Sequence, residues 1–253
     1  MDNIFNIQRF GLLLRRQWLE FGKIYLISLV VALGVIVAFY AGSLWPYLTD
    51  QRPFEARYLN FREPLFLIFG FIFISVIASS YFAHLGQKPK AIIELMIPAS
   101  TFEKFLGGLI FSALLSTASF ISLFYLTDLV FVARLNGVDN PAYFFVRNNP
   151  SQFWPIYTAP FFVTSIFLLG SIYFEKFHYI KTAITVMIFS GIWTAIIAKS
   201  GKLLFEGKIR VNEEDIPWGN HKSNAEWWGF ILLAALTIIF WVITYVRLKE
   251  KEV

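Results

Sequence analysis

The sequence has no cysteine and few charged residues, and each scarcity excludes a class of protein. Without cysteine the chain forms no disulfide, holds no thiolate-bound metal and has no cysteine nucleophile. Charged side chains make up 15% of its 253 residues, whereas soluble domains contain about 25%. Hydrophobic residues make up 57%, and the mean hydropathy is +0.60. The composition therefore predicts an integral membrane protein.

Sequence motifs for nucleotide binding, catalysis and metal binding are also missing. The phosphate-binding pattern G-x-x-x-x-G-K-[ST] does not occur, and its nearest match, Gly201-Lys202, lacks the upstream glycine. The histidines are far apart in sequence: His84, His178 and His221. The acidic run at 213–215 has no histidine at a ligand spacing. We expect no catalytic, cofactor-binding or metal-binding residue, and we expect that the chain is not an enzyme.

Six uncharged intervals are long enough to form membrane-spanning helices. About 20 apolar residues in a helix cross the roughly 30 Å hydrocarbon core of a bilayer. The predicted spans are about 24–46, 64–86, 104–127, 155–174, 178–198 and 227–246. Their centres lack ionisable residues, which ion-coupled carriers keep there as relays. The sequence predicts an all-α, six-span protein in which residues 1–253 form a single polytopic membrane domain.

The first residues, about 4–21, have the pattern of an amphipathic helix. Apolar side chains recur every three or four positions at Ile7, Phe10, Leu14, Trp18 and Phe21. Leu13 departs from the pattern because it falls on the polar side. We predict an interfacial helix that lies in the headgroup plane, with Arg9, Arg15 and Arg16 toward anionic lipid and Trp18 at the interface.

The distribution of basic residues predicts the orientation of the spans. With both termini in the cytoplasm, 12 of the 22 Lys and Arg residues lie on the inner side, in the shorter total length of loop. Basic residues concentrate in cytoplasmic loops. We therefore expect cytoplasmic termini and a cytoplasmic loop between spans two and three.

That loop belongs to the most informative stretch, residues 87–108, which reads QKPKAIIELMIPASTFEKFLGG. Pro89 suits the first turn of a short helix that continues to Ile97, and Pro98 ends it. Ser100 and Glu103 have the spacing of a capping box, so a new helix starts near Thr101 and runs into the third span.

The run IPAS-TFEKFLG resembles the L-P-x-S-x-x-E-K-F-L stretch of type-2 ABC exporter permeases, in particular forms common in Bacteroidota; Ile97 stands where that family usually has leucine. The resemblance implies a coupling helix between spans two and three that seats on a cytoplasmic ABC ATPase subunit. It also implies a second copy or a related permease as partner, and a bacterial inner membrane location. ATP and Mg²⁺ would belong to the ATPase subunit, and no nucleic acid is expected. The implied coupling residues are Lys88, Lys90, Glu94, Ile97, Pro98, Ser100, Glu103 and Lys104.

The sequence alone leaves an alternative function open. A polytopic scaffold or immunity-type protein, which transports nothing, needs the same spans but no ATPase.

Within the third span, serines 112, 116, 119 and 122 share a predicted face. That face suits either close helix packing or a polar seam that meets a substrate.

Overall fold

The structure is a computed structural model that describes residues 5–49, 59–83, 96–135, 154–205 and 218–251. Within those ranges the chain is helical and forms no strand, which confirms the predicted all-α class for this part of the chain. The helices are α1 (Ile7–Thr49), α2 (Arg62–Tyr81), α3 (Thr101–Val132), α4 (Trp154–Tyr173), α5 (His178–Phe205) and α6 (Trp218–Lys251).

Five of these helices are long and apolar enough to cross a membrane: α1, α2, α3, α5 and α6. The fourth helix, α4, contains the apolar segment Thr158–Tyr173. The chain is therefore a multi-pass membrane protein with five to six candidate spans.

The first helix differs from the prediction of a surface helix followed by a separate span. The structure has one unbroken helix from Ile7 to Thr49, which is about 65 Å long and twice the thickness of the hydrocarbon core. No proline occurs near the predicted break, and a single glycine is tolerated within a helix. At Gly22 the missing side chain leaves room for the ring of Trp18, 3.1 Å from where a β-carbon would lie.

The helices run up and down, so two ends of the bundle can be defined by their contacts. At the first end, Phe105 of α3 packs with Tyr81 of α2, Ile172 of α4 and Leu248 of α6. We call this the Glu103 end. The start of α1 lies there too, because Leu14 packs against the same cluster. The first and last described helices thus have their outer termini at the same end.

The opposite end, which we call the Asp128 end, contains the larger part of the apolar core. There α1, α2 and α3 meet through buried rings and aliphatic side chains, including Tyr40, Phe66, Phe120 and Phe124. The ring centroids of Phe66 and Phe124 are 5.0 Å apart and meet edge to face, a favourable geometry for aromatic pairs.

The helices differ in how far the rest of the chain covers them. Among the candidate spans α2 is the most enclosed and α5 the least. A turn at residues 174–177 joins α4 to α5 and contains Phe177 at a φ of 54°. Near this turn Tyr179 stacks on Phe167 with ring centroids 5.4 Å apart. Beyond it, α5 presents large apolar side chains outward, including Met187, Phe189 and Trp193, as lipid-facing helices do.

Two predicted boundaries differ from the structure. The second helix ends at Tyr81 rather than near residue 86. The next residue, Phe82, leaves helical geometry with φ −92° and ψ 8°. Of the short helix predicted to end at Ile97, the structure describes only Met96 and Ile97, and these form a turn. Helical geometry at Ile97 is disfavoured because Pro98 follows it. The remaining residues of that segment lie outside the described ranges.

The third helix changes type along its length. Thr101–Leu109 is α-helical, Ile110–Leu115 is π-helical, and Ser116–Val132 is α-helical again. Ser112 and Ser116 are buried and bond back to the carbonyls of Gly108 and Ser112, whereas Ser122 is exposed. The predicted serine face therefore does not persist to Ser122, which lies about 80° around an ideal helix from Ser112.

Candidate functional site

The candidate site lies where the IPAS-TFEKF stretch enters α3. The Ser100 hydroxyl accepts a hydrogen bond from the Glu103 amide at 3.2 Å, and Glu103 Oε2 accepts one from the Ser100 amide at 3.0 Å. Ser100 itself is extended, with φ −70° and ψ 152°, as an N-cap residue is. The predicted capping box and the helix start at Thr101 are both confirmed.

Glu103 also binds the first turn of α1, which the local sequence pattern does not indicate. Arg9 Nε donates to Oε2 and Arg9 Nη2 donates to Oε1, each at 2.8 Å. The backbone amide of Asn6 donates to Oε1 at 3.0 Å. Glu103 is fully buried, whereas one third of the Arg9 side chain remains exposed. We call Asn6, Arg9, Ser100 and Glu103 the Glu103 network.

The Glu103 network joins the caps of two helices. The Asn6 side-chain oxygen accepts hydrogen bonds from the amides of Gln8 and Arg9, at 2.9 and 3.3 Å, and so caps α1. One carboxylate thus satisfies an amide at the start of α1, an amide at the start of α3 and a guanidinium between them. Burial of a charge is costly unless it is paired and hydrogen-bonded, and here each carboxylate oxygen accepts two hydrogen bonds.

The remaining predicted coupling residues are placed differently. Lys104 is buried with 4% of its surface exposed, while Pro98 is exposed and Ile97 half-buried. The Glu103 and Lys104 side chains therefore lie in the protein interior at the start of α3. Pro98 is on the protein surface, where a partner protein can contact it. Lys88, Lys90 and Glu94 lie outside the described residues.

The predicted interfacial residues are held partly by protein. Arg15 is exposed, and Arg16 pairs with Glu20 at 3.0 Å on the surface. Trp18 stacks on Phe111 of α3 with centroids 6.2 Å apart. Leu13, which breaks the predicted amphipathic pattern, is 4% exposed, whereas Ile7 is 76% exposed. The face of α1 that the protein covers is therefore rotated from the predicted apolar face.

Close helix contacts surround the Glu103 network. A β-carbon at Gly107 would come within 2.6 Å of Gln17 Oε1, and one at Gly108 within 2.8 Å of the Phe82 ring. The two glycines let α1 and α2 approach the start of α3. Beyond them the Tyr25 hydroxyl lies 2.6 Å from Ser119 Oγ and 3.1 Å from the Leu115 carbonyl oxygen, at the end of the π-helical segment. The Gly-Gly pair is the signal in the sequence that indicates this close approach.

A second buried charge cluster lies at the Asp128 end. Arg62 Nη1 donates to the two carboxylate oxygens of Asp128 at 2.9 and 3.1 Å, and the Tyr40 hydroxyl donates at 2.8 Å. Arg62 and Asp128 are 4% and 0% exposed. Glu103 and Asp128 lie about 37 Å apart along α3. An ion pair with a buried carboxylate therefore connects each end of this helix to its neighbours.

The comparisons with known proteins assign the chain to no group, since no family model, no curated protein and no solved structure matches it. Within the described ranges, no three His, Asp or Glu side chains are grouped to hold a metal ion.

Proposed function

We propose that this chain is the permease subunit of an ATP-driven ABC exporter, forms half of a translocation pathway, and couples to a separate cytoplasmic ATPase. In this proposal the chain crosses a bacterial inner membrane six times with both termini in the cytoplasm. The Glu103 end then faces the cytoplasm, and the loop from Lys88 to Ile97 is presented to the ATPase.

The observation that carries the proposal is the Glu103 network. A subunit driven from outside the membrane needs a stiff connection between the loop that is pushed and the helices that move. Here the residues after that loop are fixed to α3 by a capping box and to α1 by Arg9. A force on the loop therefore acts on both helices together.

The multi-pass helical architecture also supports the proposal. Both described ends of the helical chain lie at the Glu103 end, which is what cytoplasmic termini and a cytoplasmic coupling loop require. Large apolar surfaces on α5 and α6 remain uncovered by the rest of the described chain. They leave room for lipid and for the second permease that completes the pathway.

Purification in a mild detergent tests the proposal. A tagged chain is expected to co-purify with a soluble ATPase that carries a Walker A motif. Glu94→Lys, in the loop, should lose this partner because it places the wrong charge in the contact. Glu213→Lys, in the predicted outer loop, is the matched control and should retain it. A wild-type chain that purifies without any ATPase under these conditions contradicts the proposal and favours the scaffold alternative.

A further inference from the structure

A groove between α2, α3 and α4 lies away from the Glu103 network. Its volume is about 830 Å³, which is within the range of pockets that hold small ligands. Most of its wall is aliphatic or aromatic. Among the described residues that line it, Glu63 and Thr117 have polar side chains.

The groove extends through about half of the membrane. It follows α2 from Glu63, at the Asp128 end, to Ile74, a distance of about 16 Å along the helix axis. One leaflet contributes about half of the 30 Å hydrocarbon core. An extended chain of about a dozen carbon atoms therefore spans the groove.

The floor of the groove is formed where α2 and α3 approach each other closely. A β-carbon on Gly70 would come within 2.8 Å of the Phe120 ring, so the absence of a side chain at Gly70 lets this ring rest on α2. Phe120 is 1% exposed. The floor is therefore backed by a buried and tightly packed aromatic ring.

Thr117 gives the groove a polar group at its inner end. The side chain is 7% exposed, and its buried hydroxyl has no hydrogen-bond partner among the described residues. Other hydroxyls on α3 behave differently: Ser112 and Thr127 donate to the carbonyl four residues earlier, at 2.6 and 2.8 Å. An unsatisfied buried hydroxyl is costly, so a ligand with a polar group at this depth gains by pairing with Thr117.

Glu63 places a negative charge at the outer end. Its neighbour Arg62 is turned inward to Asp128, whereas Glu63 is exposed at the start of α2 and lines the groove. A carboxylate in this position attracts a cation and repels an anionic headgroup.

We propose that the groove binds an elongated cationic amphiphile. The ligand has a protonated amine at Glu63, an apolar body along Phe71 and Phe120, and a second polar group near Thr117. This binding does not require that the chain works with an ATPase.

The test uses the full-length chain in lipid nanodiscs and a dodecylamine that carries a photoreactive diazirine. Labelled residues are mapped by mass spectrometry, and dodecylamine, 12-hydroxydodecylamine and dodecanoic acid compete for the labelled positions. We expect labelling on α2, α3 and α4 around Phe71 and Ile121. Dodecylamine should compete about fivefold better than dodecanoic acid, because one partly exposed ion pair changes the affinity by about this factor. The terminal hydroxyl should add a similar factor.

Variants separate the two polar anchors. Glu63→Gln should remove the preference for the amine, and Glu175→Gln, at the opposite end of the bundle, should leave it unchanged. Thr117→Val should remove only the advantage of 12-hydroxydodecylamine. Ala159→Trp should fill the groove and abolish specific labelling, whereas Ala235→Trp, on the exposed surface of α6, should not. Labelling spread evenly over α5 and α6, or competition independent of amine and hydroxyl, overturns the proposal.

Discussion

Glu103 makes more contacts to distant parts of the chain than its local motif predicts, and a conservative substitution tests them. In Glu103→Gln the amide cannot reproduce the carboxylate, because each oxygen accepts two hydrogen bonds and either orientation places an NH₂ group against two N–H donors. We expect a loss of about 2 kcal/mol in stability, less than for a fully enclosed pair because Arg9 is partly exposed. Thermal unfolding in detergent measures this loss.

The matched control is Glu20→Gln, which removes the same charge from the surface pair with Arg16. Exposed pairs of this kind contribute about 0.3–0.5 kcal/mol. Equal unfolding midpoints for the two variants would show that the Glu103 network contributes no special stability.

A substitution of Tyr40 tests the Arg62–Asp128 charge cluster at the other end of α3. Tyr40→Phe removes one hydrogen bond to the buried Asp128 carboxylate and should cost about 1.5–3 kcal/mol, the range for a bond to a charged group. Tyr173→Phe serves as control because Tyr173 is 61% exposed. If both substitutions shift the denaturation midpoint equally, Asp128 does not depend on Tyr40.

Among the helix contacts, the crossing of α4 and α5 depends on Gly170. A methyl group at this position would overlap the Thr182 hydroxyl, and that hydroxyl is bonded to the His178 carbonyl at 2.7 Å. Gly170→Ala should therefore push α5 away and cost about 1–3 kcal/mol.

Gly191→Ala is the control for this crossing, since outside its own helix backbone and chain neighbours no described atom lies within 4 Å of the added carbon. It should be neutral or stabilising by up to about 1 kcal/mol, as alanine favours the helix. Heat-induced aggregation of the two variants measures the difference. A stable Gly170→Ala protein would contradict the close crossing.

The sequence predicts the helices well where the signal is local. Apolar intervals locate the candidate spans, and the Ser100 to Glu103 spacing predicts the start of α3. It does not predict contacts between distant residues. Arg9 and Glu103 are separated by 94 positions, and Arg62 and Asp128 by 66, so neither pair leaves a periodic signal. The local composition of Ile110–Leu115 does not predict its π-helical geometry.

The orientation of the whole molecule can be tested because the chain lacks cysteine. Single cysteines at Gln87 and Lys249 should react with an impermeant reagent from the cytoplasmic side, and cysteines at Asn148 and Asn212 from the outside. This pattern follows from the distribution of basic residues. Reaction of the Gln87 variant from the outside would place the loop on the wrong side for an ATPase.

The most direct test of the account is the rate of ATP hydrolysis by the co-purified complex in lipid nanodiscs, compared at equal amounts of folded protein. If the chain is a permease as proposed, and the Glu103 network transmits force between the loop, α1 and α3, Glu103→Gln should lose the stimulation that the wild-type chain gives to the proposed ATPase partner, while Glu20→Gln keeps it. Equal stimulation by wild type and Glu103→Gln, with the ATPase bound in both, would contradict the account.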